Sequence, residues 1–511
     1  ELQVLGVLAL ALWLPGHALL IITKGADHWP GLQLPIVVIG LSAASYPVFY
    51  YGVRFVAPSV GLTSTFLWAI LGLCGLVVVF ARLRGQQRRD RWQLLEWVAV
   101  GLVALTLATR LWVANEYPYP AWADSLHHVL LTGLTAEAGR LPYTLAPYFP
   151  VDVDMYHLGF YAIAGTVQGL TSAPAHTALL WTAQVFSGLA GLGVYLALDR
   201  YSGRVGAVVG LAIVGLFSFQ PAFYVNWGRF TQLASQALLL TAWVVTLEAL
   251  RSFVHDWRQT HRRAEIIAQA LLAALLTAAV CLLHFRVAAF YAPALLLGVM
   301  ACAWRWRGPG QWRTLFIGLV WIGGLTLLLI LPTLWTALRA YIDALAYTAT
   351  VAAIDPATRG ESIERYYAFP WSTVTALAAP TWLWLLTAVA TVSGLARRNP
   401  LTLFALTWLL LLVIEGSAYR LGIPALMFTN MGAVLILLYL PIGLLVGAGG
   451  EALVQALPLP WQPRAVAALM LVVLMGALPA ARLRITQIEP YRFFVTEADV
   501  TAMTWIQRHI P

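Results

Sequence analysis

Apolar runs of about 17 to 25 residues, the length that spans a bilayer as a helix, follow one another through almost all of this 511-residue chain. Every backbone N–H and C=O inside a bilayer must be bonded within the protein, so such runs have to be helices. They lie near 2–23, 34–56, 60–82, 94–114, 175–198, 204–222, 233–252, 265–283, 287–304, 314–337, 373–394, 400–415, 420–447 and 464–482. The fourteen runs predict an all-α, polytopic transmembrane bundle of about 14 spans. Composition agrees: 60% of residues are hydrophobic and only 10% charged, against roughly one quarter charged in soluble domains.

The formal charge of +9 is almost entirely guanidinium, since Lys24 is the single lysine. If the spans alternate, the arginine-rich connections at 82–93, 199–204, 251–263, 305–313 and 396–399 all fall on one side. The positive-inside rule makes that side cytoplasmic and accounts for the basic excess, which removes the case for a nucleic-acid partner. Cys74, Cys281 and Cys302 are unclustered within apolar runs, so neither a disulfide framework nor a thiolate metal site is expected. A chain opening on Glu1, directly into an apolar run, is expected to lack its first residues, so a targeting signal cannot be read from it.

Four larger segments fall on the opposite, outer side: 115–174, 223–232, 338–372 and everything after 482. Loops longer than about 15 residues are usually functional. The first carries two short helical patterns, near 125–138 and 156–170, expected to lie as interfacial helices on the outer leaflet. The third, with Asp343, Asp355, Arg359, Glu361, Glu364 and Arg365, reads as a mobile outer loop. Three regions follow: 1–93 as accessory N-terminal spans, 94–482 as the membrane core with its outer loop at 115–174, and 483–511 as the start of an extracytoplasmic region.

Chemistry is best sought in the outer segments. Arg110 ends the fourth run, and Asp124, His127 and His128 then follow at i, i+3 and i+4, one face of a helix. Asp124 either caps that helix or serves as a general base or metal ligand. Asp152, Asp154 and His157 form a second group, able to solvate a loop, bind a divalent cation or hold a sugar hydroxyl. Asn226, Trp227, Gly228 and Arg229 make a polar turn between two spans, and His284 and Arg286 lie between spans with almost no loop. The arginines either snorkel to lipid headgroups or bind a phosphate. Glu415 and Arg420 flank another outer turn and read as a salt bridge. No G-x-x-x-x-G-K-[ST], H-E-x-x-H, G-x-S-x-G or C-x-x-C pattern occurs. An acidic outer site without a nucleotide motif suits a lipid-borne activated substrate.

A span ending in arginine, an early loop aspartate with a histidine at i+4, two interfacial helices and a long series of further spans resembles the polytopic GT-C glycosyltransferases. That superfamily includes oligosaccharyltransferase catalytic subunits, protein mannosyltransferases and aminoarabinose transferases. The segments WADSLHH, GRLP, DMYHLGFYAIAG, NWGRFTQL and LHFRVAAFY are similar to a bacterial branch of large membrane proteins in the class, and EADVTAMTWIQRHIP resembles the opening of the extracytoplasmic domain that follows the spans. The resemblance covers about residues 94–511.

The resemblance implies a multi-pass protein of the bacterial cytoplasmic membrane, active on its extracytoplasmic face. It implies inverting transfer of a sugar from a polyprenyl-phosphate donor to an acceptor. Asp124, with Asp152 or Asp154, would be catalytic; His127, His128, His157, Arg229, His284 and Arg286 would bind substrate, with Arg229, His284 and Arg286 neutralising the lipid phosphate. A divalent Mg or Mn ion, where one is used, would take Asp124 and Asp154. Most relatives pair the first-loop aspartate with a second acid beside it or in a distant loop, whereas Ser125 follows Asp124 here; Asp152, Asp154, Asp355, Glu361 or Glu364 could fill that place. The rival reading is a non-catalytic polytopic subunit or a transporter. A transporter calls for ionisable groups near mid-span and broken helices in pairs, but Glu96 and Glu248 lie near span ends.

Overall fold

A computed structural model describes residues 1–85, 92–153, 156–354, 371–418, 421 and 429–510. Twelve helices among these residues are long and apolar enough to cross a membrane. In chain order the helices are α1 (Leu2–Ile22, with a break after Ala11), α2 (Gln33–Val56), α3 (Ser64–Leu83) and α4 (Leu94–Asn115). Two shorter helices follow, α5 (Ala123–Ala138) and α6 (Gly159–Thr171). Next come α7 (Ala175–Tyr201), α8 (Arg204–Asn226), α9 (Phe230–Asp256), α10 (Thr260–Leu283), α11 (Phe285–Arg305) and α12 (Gln311–Ile354). The last are α13 (Trp371–Leu377 with Thr381–Ala396), α14 (Pro400–Gly416), α15 (Met431–Ala456), α16 (Leu459–Ile485) and α17 (Glu497–His509). An isolated antiparallel bridge joins Thr144 to Asp152, and no strand occurs among the described residues.

The ends of these helices follow from local chemistry. Thr63 accepts a hydrogen bond from Phe66 N–H at the start of α3 (3.2 Å), and Asn399 caps α14 with Pro400 in the first position. Glu96 closes a capping box on α4 through Gln93 N–H (2.7 Å) and also accepts from Leu32 N–H (2.9 Å), tying α2 to α4. Thr496 and Asp499 form a capping box at the start of α17.

Helices α7, α8, α9 and α15 are the buried hub; α3, α11, α12 and α16 keep most of their apolar surface outward, as lipid-facing spans do. Small residues permit the closest approaches: a side chain at Gly206 or Gly210 in α8 would run into the backbone of α15 at Gly447 and Gly443. The first three spans pack onto this hub and the long loop. Tyr50 shares a hydrogen bond with Thr166 (2.8 Å), Tyr51 accepts from Leu158 N–H (2.8 Å), and Arg54 donates to the Pro142 carbonyl (2.9 Å).

Several expectations change. The run at 373–394 is not one straight helix: α13 bends by 88° at residues 378–380, where Pro380 keeps the preceding residue out of helical conformation. Residues 338–354 are no loop but the continuation of α12, 44 residues long in all. At 1.5 Å per residue that is about 66 Å, twice a bilayer core. Helix α6 is sheathed by protein on nearly every side rather than lying bare on a leaflet, with Gly159 against the Leu282 carbonyl and Gly165 against Thr135. Arg110 does not cap the end of its span; it is buried within it. Arg88–Arg91, Asp154, Asp355, Arg359, Glu361, Glu364, Arg365 and Arg420 lie outside the described residues.

Candidate functional site

Three segments distant in sequence meet at one end of the bundle: the start of α5, the turn between α8 and α9, and the junction of α10 with α11. Gly228 makes the first meeting possible. Its φ of +60° belongs to the left-handed region, and a Cβ there would strike Ser125 Oγ and approach the Ala121 carbonyl and Ser125 nitrogen at 3.1 Å. The polar turn therefore seats its backbone directly on the first turn of α5.

His128 registers the contact. Its Nδ1 lies 2.5 Å from the Tyr161 hydroxyl on α6, and the Gly228 carbonyl faces the ring's remaining donor. This assigns Nε2 as the protonated nitrogen and makes Tyr161 the donor to Nδ1. The Tyr161 ring is also stacked with that of Tyr156, their centroids 6.5 Å apart. Burial holds the His128 pKa down at about 3, so its ring is neutral.

Tyr156 stacks on His157 (centroids 4.1 Å apart), and His157 packs on His284 at the same separation. His284 is the extended residue that interrupts α10 and α11, with φ −165° and ψ 110°. Burial, reinforced by neighbouring cations and imidazoles, pushes His157 down to about 3 and His284 well below the usual histidine range. Burial thus favours the neutral form of the His284 ring. The Nδ1 atoms of both rings are buried without a hydrogen-bond partner among the described residues.

Arg229 ends the turn immediately before α9, its guanidinium 5.5 Å over the Trp227 ring. Arg286 lies in the first turn of α11. Both charges reach Tyr156 and His284. Two cations thus stand at the N-terminal ends of two helices, where free N–H groups and the helix dipole also favour an anion.

Asp124 occupies the first turn of α5 but not its cap, which is Trp122. Its carboxylate is exposed and makes no hydrogen bond or ion pair among the described residues, yet its charge reaches the Tyr156 and Tyr161 hydroxyls. His127 is exposed while His128 turns inward, so the expected common face divides in two. Asp152 is exposed at its bridge with Thr144, and Glu415 is buried at the end of α14. Among the described residues no group of three or more His, Cys, Asp or Glu side chains could hold a metal ion. Asp124 is present for such a role and Asp154 lies outside the described residues.

The tyrosines were missed in the sequence, although Tyr161 stands four residues after His157 on the segment that supplies the histidine. Also missed was a clasp from beyond α16. Asn226 donates to the Gln487 carbonyl (2.7 Å) and accepts from Glu489 N–H (3.1 Å) and the Tyr117 hydroxyl. Trp122 N–H donates to the Arg492 carbonyl (2.9 Å), and the Arg492 guanidinium lies over the rings of Trp122 (4.8 Å) and Phe223 (5.5 Å). Residues 487–493 thus stitch the turn at 226–229 to the start of α5.

Fold and site together define an all-α, multi-pass membrane protein with a carboxylate, two cations and a wall of tyrosine and neutral histidine rings at one end of its bundle. No protein-family profile and no curated protein matches the sequence. Among solved structures the chain is similar to the oligosaccharyltransferase of Archaeoglobus fulgidus in two crystal structures. For the enzyme tethered by a disulfide bond to an acceptor peptide containing the NVT sequon, identity is 15%, the TM-score is 0.45, and 81% of this chain and 57% of the archaeal one are covered. For the apo form identity is 13%, the TM-score is 0.45, and coverage is 81% and 58%. The match takes in a little under three fifths of the archaeal protein's length.

Proposed function

We propose that this protein is a membrane glycosyltransferase of GT-C type, moving a sugar from a polyprenyl-phosphate donor to an acceptor with inversion. The observation that carries this reading is the meeting of the Asp124 carboxylate with Arg229 and Arg286 around one aromatic wall. A base and an anion site side by side are what displacement of a lipid phosphate requires.

In this reading the donor phosphate lies between the two guanidiniums at the starts of α9 and α11. Asp124 orients the acceptor and takes its proton as the nucleophile attacks the anomeric carbon. The bond from that carbon to the phosphate oxygen breaks on the opposite side, and the lipid phosphate leaves as an anion held by Arg229 and Arg286. His157 and His284 serve as neutral hydrogen-bonding rings, and their low basicity keeps them from competing with Asp124 for the proton. Mg or Mn would add electrostatic stabilisation of the phosphate if bound by Asp124 with Asp154. In this reading the site faces outward from a bacterial cytoplasmic membrane, the side that the arginine bias of the loops supports.

The test is transfer by the purified, reconstituted protein from a panel of polyprenyl-phosphate sugars. Asp124→Asn keeps the shape of the side chain and removes its charge. It is expected to slow turnover by about 10² to 10⁴ fold while leaving folding intact. Wild-type transfer by the variant would remove Asp124 from the mechanism; no transfer by the wild type from any donor would favour a non-catalytic subunit.

A further inference from the structure

Two arginines are buried deeper in the bundle, away from the site just described. Arg110 on α4 is 2% exposed and Arg484, near the end of α16, is 5% exposed. Arg110 donates from Nε to Ser187 Oγ (3.1 Å), from Nη1 to Thr109 Oγ1 (3.0 Å) and from Nη2 to the Gly215 carbonyl (2.7 Å). Gly215 belongs to a π-helical turn, Ile213–Phe217, inside α8. Just beyond that turn the Ser218 carbonyl accepts from Arg484 Nη1 (3.1 Å). The carbonyls they bond, Gly215 and Ser218, are three residues apart in α8, so both guanidiniums face the same short stretch of that helix, and among the described residues neither has a carboxylate partner.

Around them, buried polar atoms lack partners among the described residues. Arg484 Nε has no acceptor, Ser218 Oγ has neither donor nor acceptor, and both amide atoms of Gln220 are unpaired; Ser218 and Gln220 are fully buried. Gln184, one turn before Ser187 on α7, is fully buried with both amide atoms unpaired as well. Carbonyls satisfy N–H groups but do not cancel a cation. A buried, uncompensated guanidinium is strongly unfavourable, and two neighbouring ones add mutual repulsion.

An anion between the arginines would neutralise the repulsion and accept from the idle donors. Burial argues for a small ion: the two side chains are only 2% and 5% exposed, which suits an atomic anion better than a lipid phosphate with its chain attached. We propose that Arg110 and Arg484, with the Ser218 hydroxyl and the Gln220 amide, bind a small inorganic anion of chloride size inside the bundle. The ion ties α16 to α4 and α8 directly beneath the clasp at 487–493, so it supports the candidate site without contacting substrate.

The test uses the full chain in nanodiscs at constant ionic strength, with gluconate, too large to enter, exchanged stepwise for chloride or bromide. A ligand that binds only the folded state raises the melting temperature saturably, here by a few degrees. Arg484→Gln, which can still donate to the Ser218 carbonyl, is expected to abolish that response. Crystals grown in bromide are expected to show an anomalous peak between the two guanidiniums. A wild type that melts at the same temperature in gluconate and chloride, with no bromide peak, would mean that only water solvates these arginines and would overturn the proposal. An equal chloride response in Arg484→Gln would overturn it too, by placing the anion elsewhere. Should the variant fail to fold, the wild-type titration and the bromide peak still decide.

Discussion

Replacing Gly228 with alanine tests how the site is assembled. The residue has φ +60°, a conformation that costs an L-residue roughly 1–2 kcal/mol. The added methyl would also strike Ser125 Oγ and crowd the Ala121 carbonyl and Ser125 nitrogen, both at 3.1 Å. Overpacking of this kind costs about 1–3 kcal/mol. Gly228→Ala is therefore expected to destabilise by about 2–5 kcal/mol, measured by denaturant titration in mixed micelles. Adding Ser125→Ala removes the hydroxyl from the collision but leaves the two backbone contacts and the φ strain. The double variant should recover roughly 1 kcal/mol and no more. Because the Gly228 carbonyl faces His128 and the next residue is Arg229, donor binding should fall along with stability. A Gly228→Ala protein within about 0.5 kcal/mol of wild type would refute this account of the junction.

The buried histidines make stability depend on pH. His128 and His157 bind protons near pH 3 when folded and near 6.5 when unfolded, so between those values the unfolded chain holds more protons and stability rises with pH. Their contribution is complete above about pH 7 and is lost on acidification toward 3, which melting curves between pH 4 and 8 would show; a flat profile would contradict the neutral assignment. Sidedness is open to cysteine labelling in intact vesicles: positions 124 and 262 should react from opposite faces, and labelling from the same face would disprove the proposed orientation.

Much of the architecture was legible because the bilayer leaves helices few alternatives. Most apolar runs of span length became helices near the expected boundaries, while the run expected at 420–447 corresponds to the helix Met431–Ala456. The segments that meet at the site were also legible, since polar clusters at the ends of apolar spans are costly unless they meet one another or a ligand. Facing was not. Helix α5 begins at Ala123, and the docked Gly228 turn draws His128 inward while Asp124 and His127 stay exposed, a division that spacing alone cannot show. The segment 338–372 is polar as a whole, yet most of its charges lie beyond Ile354, and the alanine-rich stretch before that point extends α12. The burial of Arg110 was hidden because its partners, Ser187 and the Gly215 carbonyl, are 77 and 105 residues away and neither is acidic.

The most direct measurement is a cryo-EM structure of the protein in nanodiscs with a polyprenyl phosphate bound. The phosphate is expected within hydrogen-bonding distance of both Arg229 and Arg286, with Asp124 facing the position of the sugar. Arg286→Ala should then weaken lipid binding about 10- to 100-fold, the scale of a charge-assisted hydrogen bond. A phosphate bound elsewhere on the bundle, or unchanged affinity in Arg286→Ala, would contradict the assignment of this site to a lipid-phosphate donor.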